Sequence, residues 1–202
     1  PAFRSMPAGE VAAFRVRRGL PDRFILFVGT LEPRKNIARL ISAYAQVPQP
    51  RPPLLLVGGK GWLYDDIFRR VEILGLTDEV HFVGYVEAAE LPAWYNAALF
   101  FVYPSLYEGF GLPVLEAMAC GTPVVSSTAS SLPEVAGEAG VLVDPHDTDA
   151  LAGAIGRLAG DASLRDELAA AGVRQAARFS WSETARGTAR CFRRALGIEG
   201  GS

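Results

Sequence analysis

The stretch YPSLYEGFGLPVLEAMACG, residues 103–121, decides the fold. It follows the apolar run 99–102 and leads into a helical pattern that begins at Pro113. Proline fits the first turn of a helix, where its missing N–H is not needed. A continuous apolar run that passes through a loop into a helix is typical of a strand buried on both faces of a parallel sheet. The stretch therefore predicts one strand–loop–helix unit of an α/β fold.

The same unit recurs on both sides of this stretch. The apolar runs predict strands at residues 24–28, 54–57, 80–83, 99–102, 123–126 and 140–143. The segments between and after them predict helices at residues 10–19, 37–46, 62–74, 87–96, 113–120, 147–159, 163–177 and 181–196. This alternation predicts a Rossmann-like, doubly wound parallel sheet with helices on both faces. In such sheets ligands bind beyond the carboxyl ends of the strands.

The bulk properties indicate one globular domain over residues 1–202, with a lead-in segment at about 1–20 and a helical tail at 147–196. The net charge of −2 argues against a nucleic-acid partner. Two cysteines and two histidines predict neither a disulfide framework nor a metal site, and they favour a cytoplasmic location. No apolar run is long enough to span a membrane.

Two glycine-containing loops follow the first two predicted strands. Gly29 opens the first loop, which ends in Arg34, Lys35 and Asn36, with Asn36 available as the N-cap of the next helix. Free N–H groups and cations at a helix start attract phosphate, although an ordinary turn with solvated cations is the alternative. The second loop, 58–61, lacks the spacing of a phosphate-binding P-loop. Close approach to a ligand and a plain turn both remain open for it.

The loop inside the deciding stretch carries two acids. Glu108 precedes the predicted helix, Glu116 lies about one turn inside it, and 109–112 offer bare backbone N–H groups between them. Phosphates suit the N–H groups, and sugar hydroxyls suit the carboxylates. The alternative makes Glu116 a helix-surface residue and Glu108 a partner of the helix dipole. That alternative does not explain the apolar residues around Glu116.

With these residues in view, the chain resembles the group 1 family of retaining glycosyltransferases, whose E-x7-E motif matches Glu108 to Glu116. Further resemblances follow in order along the chain, at residues 29–36, 81–86, 121–125 and 179–181. Members of this family have the two-domain glycosyltransferase B-type fold. The resemblance therefore implies that this chain is the C-terminal half, which binds the nucleotide-sugar donor, and that the N-terminal acceptor domain is absent from it.

The resemblance also implies roles for individual residues. Glu108 and Lys35 are the expected catalytic residues: Lys35, with Arg34, contacts the donor diphosphate, and Glu108 contacts the donor sugar. Glu116 is expected to hold the ribose hydroxyls. Family members often carry arginine where this chain has Thr30. Whether a second cationic side chain contacts the diphosphate therefore depends on whether Arg34 takes the place of that arginine. The expected donor-binding residues are Gly29, Thr30, Arg34, Lys35, Gly84, Tyr85, Val86, Glu108, Gly109, Phe110, Gly111, Leu112 and Glu116.

The resemblance leaves the substrates and some alternatives open. The sequence of residues 30–36 resembles the corresponding segment of mannosyltransferases. This resemblance favours GDP-mannose as the donor for transfer to a saccharide or lipid-linked acceptor. No cofactor or metal is expected, and peripheral association of the full enzyme with the inner face of a membrane is an open expectation. A nucleotide-binding or regulatory module without transferase activity is one alternative function. A sugar 2-epimerase-like enzyme is another.

Overall fold

A computed structural model describes residues 2–198; Pro1 and residues 199–202, which the single-domain prediction includes, lie outside the described residues. Within residues 2–198, six parallel strands form one sheet in the order β3-β2-β1-β4-β5-β6. The strands are β1 Ile25–Val28, β2 Leu54–Val57, β3 Val80–Gly84, β4 Phe100–Tyr103, β5 Val124–Ser127 and β6 Val141–Val143. The doubly wound parallel sheet expected from the alternating pattern is confirmed.

Helices cover both faces of this sheet. They are α1 Ala8–Arg18, α2 Ile37–Gln46, α3 Asp65–Ile73, α4 Leu91–Ala97, α5 Leu112–Ala119, α6 Leu132–Ala136, α7 Thr148–Gly160, α8 Ala162–Ala176 and α9 Trp181–Ala195. Short 3₁₀ turns lie at Pro33–Lys35 and Gly137–Ala139. No helix in the described part of the chain has the length and apolar character needed to cross a membrane.

The strand order places a topological switch point between β1 and β4. From β1 the chain builds outward to β2 and β3, whereas from β4 it builds in the opposite direction to β5 and β6. All residues of β1, β2, β4 and β5 are buried, as expected for central strands of a parallel sheet. The loops after β1 and β4 meet at this point, which is where doubly wound folds bind ligands.

The outer helices differ in how firmly they are held. The lead-in helix α1 packs on α4 through Phe14 and Trp94, whose ring centroids are 5.6 Å apart in an edge-to-face arrangement. Helices α7 and α8 of the tail bury Leu158 and Leu168, among others. Helix α9 buries no residue at all. The core is therefore complete without the last helix.

Two predicted helix starts were wrong and one helix was not predicted, each for a local reason. Helix α3 begins at Asp65 rather than at residue 62, because Leu63 adopts a left-handed φ of 51° that no right-handed helix contains. Helix α4 begins at Leu91 rather than at residue 87, with a proline in its first turn. Helix α6 was not predicted, because five residues are too few to show a helical period.

Candidate functional site

The loops after β1 and β4 are tied together at the switch point. The Leu106 N–H donates to the Arg34 carbonyl at 2.9 Å. The side-chain amide of Asn36 donates to the carbonyls of Pro104 and Pro145, at 3.1 and 2.7 Å. Asn36 stands at the predicted N-cap position of α2 with φ of 59°, but its side chain forms no cap hydrogen bond. The Asn36 side chain instead joins the loop after β1 to the loops after β4 and β6.

This arrangement brings Arg34, Lys35 and Glu108 into direct contact. Lys35 Nζ lies 2.7 Å from Glu108 Oε1, and Arg34 Nη1 lies 2.8 Å from Glu108 Oε2. The side chains of Lys35 and Glu108 are 9% and 10% exposed, whereas that of Arg34 is 39% exposed. Each carboxylate oxygen thus faces its own cation. These pairs join the two loops that the sequence places 73 residues apart.

Two further residues complete the charge cluster. Lys35 Nζ donates a hydrogen bond to the hydroxyl of Tyr103, which lies at the carboxyl end of β4. Glu32 Oε1 accepts from Arg34 Nη2 at 2.6 Å. Two carboxylates therefore balance two cations, and the formal charge of the cluster is zero. Neither Tyr103 nor Glu32 was among the predicted site residues.

The ion pairs set the protonation state of Glu108. Burial alone would raise the pKa of this carboxyl group, but the hydrogen bond and charge of Lys35 oppose that effect. The net result is a pKa below the ordinary value, so Glu108 is ionised at neutral pH. Burial raises the pKa of the Tyr103 hydroxyl, and the nearby Glu108 charge adds to that rise. Tyr103 therefore remains a neutral hydrogen-bonding group.

The loop that carries Glu108 is held by two serines of the turn after β5. The Glu108 N–H donates to Ser130 Oγ at 2.9 Å, and Ser131 Oγ donates to the Phe110 carbonyl at 2.7 Å. Ser130 adopts a left-handed φ of 49°, which costs a non-glycine residue free energy. A Cβ atom on Gly111 would lie 2.7 Å from Leu132 of α6, so only glycine fits there. The loop therefore has a fixed conformation.

This fixed loop leaves a row of unused donors. Within residues 2–198, the backbone N–H groups of residues 109–112 donate to no protein acceptor. Gly109 and Phe110, which precede α5, and Leu112, its first residue, are exposed. Free N–H groups together with the positive end of the helix dipole suit an anion. The N–H groups of residues 109–112, which the sequence predicts to bind a phosphate, are therefore free to bind one.

Glu116 lies apart from the Lys35–Glu108 pair. It sits on α5, where Oε2 accepts a hydrogen bond from the Tyr95 hydroxyl at 3.1 Å. Burial raises the pKa of Glu116, and the Tyr95 hydrogen bond offsets only part of this rise. Among the described residues Glu116 has no cation as a partner. Its carboxylate is therefore available to neutral donors such as hydroxyl groups.

The second glycine loop lies against the first loop and the end of β3. Leu31 donates to the Gly59 carbonyl at 2.9 Å, and Gly58 donates to the Gly84 carbonyl at 2.8 Å. A Cβ atom on Gly58 would lie only 2.0 Å from the carbonyl oxygen of Gly29, so the two backbones meet as closely as glycine permits. The glycines at this point serve contact between loops. Whether loop 58–61 also approaches a ligand stays a prediction.

The predicted site residues therefore fall into two groups. The structure brings Arg34, Lys35 and Glu108 into contact, with Gly109–Leu112 on the same loop as Glu108. Thr30 and Tyr85 are exposed, and Gly29, Gly84 and Val86 are half-buried at the carboxyl edge of the sheet. Sequence reasoning missed Glu32, Tyr103, Ser130 and Ser131. Within residues 2–198, no group of three or more His, Cys, Asp or Glu side chains is arranged to hold a metal ion.

Comparison with known proteins identifies the class to which this fold and site belong. Residues 12–175 match the family described as "Glycosyl transferases group 1". The O-antigen chain mannosyltransferase B of Escherichia coli is 45% identical over 173 residues, which are 84% of this chain and 45% of that protein. The chain therefore belongs to the group 1 glycosyltransferase family. It spans less than half the length of this relative.

Solved structures agree with this assignment. The sucrose-phosphate synthase of Thermosynechococcus elongatus is 35% identical, with a TM-score of 0.81 over 98% of this chain and 51% of that one. The HepE protein of Anabaena, solved in complex with UDP, is 26% identical, with a TM-score of 0.83 over 95% of this chain and 54% of that one. Each match covers about half of the solved chain.

Proposed function

We propose that this chain binds the nucleoside-diphosphate sugar donor of a retaining glycosyltransferase. The observation that carries the proposal is the cluster at the switch point: two cations and a row of free N–H groups lie beside an ionised carboxylate. A leaving diphosphate gains negative charge as its bond to the sugar breaks. Cations and N–H groups that are already in position stabilise that charge without reorganisation.

Each part of the donor has a proposed partner. Lys35 and Arg34 bind the diphosphate, supported by the N–H groups of 109–112. Glu116 accepts hydrogen bonds from the ribose hydroxyls, which suits a half-buried carboxylate that accepts from Tyr95 and pairs with no cation among the described residues. Glu108 contacts the donor sugar, and Gly84, Tyr85 and Val86 line the base pocket beside Gly29 and Thr30. The scheme uses no metal, because Lys35, Arg34 and the N–H groups of 109–112 contact the diphosphate directly.

GDP-mannose is the donor that we favour. The 45% identity with a mannosyltransferase supports the sugar. The UDP in the HepE complex supports the proposal that this chain binds a nucleoside diphosphate, but it does not distinguish a guanine from a uracil base. The acceptor would be a saccharide or a lipid-linked saccharide, held by a part of the protein that lies outside this chain. Transfer to it would then need the longer protein.

Calorimetry tests the donor-binding function. We expect this chain to bind GDP and UDP in the presence of a chelator, with GDP bound more tightly. An absence of binding to either nucleotide at millimolar concentration would contradict the proposal. A chelator that abolished binding would instead contradict its metal-free part.

A transfer assay separates the proposed enzyme from the alternatives. The longer protein is incubated with radiolabelled donor and saccharide acceptors, and the products are resolved into transferred, hydrolysed and epimerised sugar. We expect transfer by the longer protein and at most slow hydrolysis by this chain, because holding two reactants in place contributes about 7–11 kcal/mol. Epimerised sugar would favour an epimerase, and binding without turnover would favour a regulatory module.

A further inference from the structure

Glu108 occupies the two cations that the proposed function assigns to the diphosphate. Its Oε1 atom lies 2.7 Å from Lys35 Nζ, and its Oε2 atom lies 2.8 Å from Arg34 Nη1. Glu32 also pairs with Arg34, so the cluster carries no net charge. A phosphate that arrives here therefore meets a neutral cluster with an anion already in place.

A phosphate and the Glu108 carboxylate compete for the same two cations, Lys35 and Arg34. Both are anions, and at hydrogen-bond distance from the same cations they would lie close enough to repel strongly in a partly buried site. Lys35 and Glu108 are nearly inaccessible to solvent, so water screens that repulsion poorly. The bound phosphate must therefore push the Glu108 carboxylate away from Lys35 and Arg34.

The intact donor and the product differ in what they offer the displaced carboxylate. The donor carries a sugar whose hydroxyls donate hydrogen bonds, and a carboxylate accepts several of them. Transfer breaks the bond between the anomeric carbon and the β-phosphate oxygen, forms a bond to the acceptor oxygen and releases the proton of the acceptor hydroxyl. The product nucleoside diphosphate keeps the bonding electron pair as additional negative charge and has lost the hydroxyls of the transferred sugar, although it retains those of the ribose. Only the donor, therefore, offers the Glu108 carboxylate new hydrogen bonds in place of its contacts with Lys35 and Arg34.

From this contrast, which rests on the proposed function, we propose that Glu108 selects the intact donor over the nucleoside diphosphate product by competing for Lys35 and Arg34. After transfer the carboxylate returns to its two cations and expels the product. The return is directed, because Ser130 and Ser131 hold the backbone of this loop and leave only the side chain to move.

The variant Glu108→Gln tests this selection by removing the charge and keeping the shape. Affinities for GDP and GDP-mannose, and for UDP and UDP-glucose, are measured by calorimetry on this chain. We expect the variant to bind the diphosphates about tenfold more tightly than the unmodified chain does, as coupling energies between contacting charges imply. Donor affinity should fall or stay constant, so that the preference shifts toward the product.

Glu32→Gln is the matched control, since it removes an equal charge that contacts Arg34 but not Lys35. We expect it to change diphosphate affinity less than about threefold. An unchanged donor-to-product preference in Glu108→Gln would overturn the selection, as would an equal effect of Glu32→Gln. In either case diphosphate binding by the unmodified chain would leave the donor-binding function standing. Only the absence of all nucleotide binding would contradict that function.

A second measurement applies if Glu108→Gln does not fold. Carbon-detected NMR follows the titration of the Glu108 carboxyl group in the unmodified chain, with and without the nucleoside diphosphate. If the phosphate takes the two cations, the pKa of this carboxyl group rises when the nucleotide binds. A pKa that stays at its lowered value in the complex would overturn the selection.

Discussion

Lys35 and Glu108 are joined by a buried ion pair of 2.7 Å between Nζ and Oε1, across the switch point of the sheet. One residue belongs to the loop after β1 and the other to the loop after β4. The pair thus connects the two halves of the doubly wound fold at the place where we propose the donor binds. We therefore expect the pair to stabilise the free chain and its two residues to contact the donor in the complex.

We expect Glu108→Gln to lower the free energy of unfolding by about 2–3 kcal/mol at pH 7, because Lys35 keeps its charge and loses its carboxylate. This is less than for a fully buried pair, since Arg34 is 39% exposed. The pKa of Glu108 is lowered in the folded chain, so its contribution is present above the ordinary value of 4.5 and is lost as the pH falls through the lowered value. Urea denaturation at several pH values measures the difference, which should shrink in acid. A difference that does not depend on pH would contradict this assignment.

Glu116→Gln should have the opposite effect on stability. Burial raises the pKa of Glu116, so the ionised form is penalised in the folded chain, and stability falls as the pH rises through the raised value. Glutamine mimics the protonated acid and keeps an acceptor for the Tyr95 hydroxyl. The variant should therefore have a higher Tm at pH 7–8 and an unchanged Tm below the ordinary pKa of 4.5. Glu167→Gln, exposed on α8, is the control; a Tm of Glu116→Gln at or below that of the unmodified chain at pH 8 would be evidence against the penalty.

Lys35→Ala and Glu116→Ala should weaken nucleoside diphosphate binding in different ways. Glu116→Ala removes charge-assisted hydrogen bonds to ribose worth about 1.5–3 kcal/mol, with little change in salt dependence. Lys35→Ala removes a phosphate contact, so its residual binding should depend less on salt. Arg23→Ala is the control, because Arg23 precedes β1 at the opposite edge of the sheet. Titrations at two salt concentrations make the comparison, and unchanged affinity in both folded variants would refute the residue assignments.

Helix α9 should be dispensable for the fold. It buries no residue, and Trp181, Phe192 and Leu196 are 77%, 66% and 70% exposed. We expect a chain that ends at Ser180 to keep its Tm within a few degrees and to self-associate less, because these apolar side chains are gone. A chain that ends before Leu168 is the contrasting control, since it loses buried residues of α8. Light scattering and thermal melting measure both effects; a large loss of Tm in the Ser180 chain would show that α9 is part of the core.

The sheet was predictable because its strands are short continuous apolar runs, which are typical of strands buried on both faces of a parallel sheet. The shortest elements were not: α6 has five residues, and its place depends on Leu132 packing under Gly111. The positive φ of Leu63, which delays α3, has no local signature in the sequence. The periodicity of strands and helices was therefore enough to predict the architecture, whereas the ends of individual helices depend on tertiary contacts that the sequence does not show.

The site shows the same division. Lys35, Glu108 and Glu116 were predicted from the sequence alone because their segments resemble those of the family, and their roles in donor binding stay predictions. Ser130 and Ser131 could not, since their contacts with the Glu108 loop span about 21–23 residues and leave no spacing pattern. Tyr103 has no such signal in the sequence, because strand burial explains an aromatic residue at that position. Its hydroxyl contact with Lys35 becomes visible only when the two loops meet.

A co-crystal structure of this chain with GDP tests the central claim most directly. We predict that the diphosphate lies within hydrogen-bond distance of Lys35 Nζ and the N–H groups of 109–112, and that the ribose hydroxyls contact Glu116. A nucleotide bound elsewhere would contradict the claim. The open cavity of about 710 Å³ beside Arg51 and Glu79 is an example, since it lies at the amino edge of the sheet.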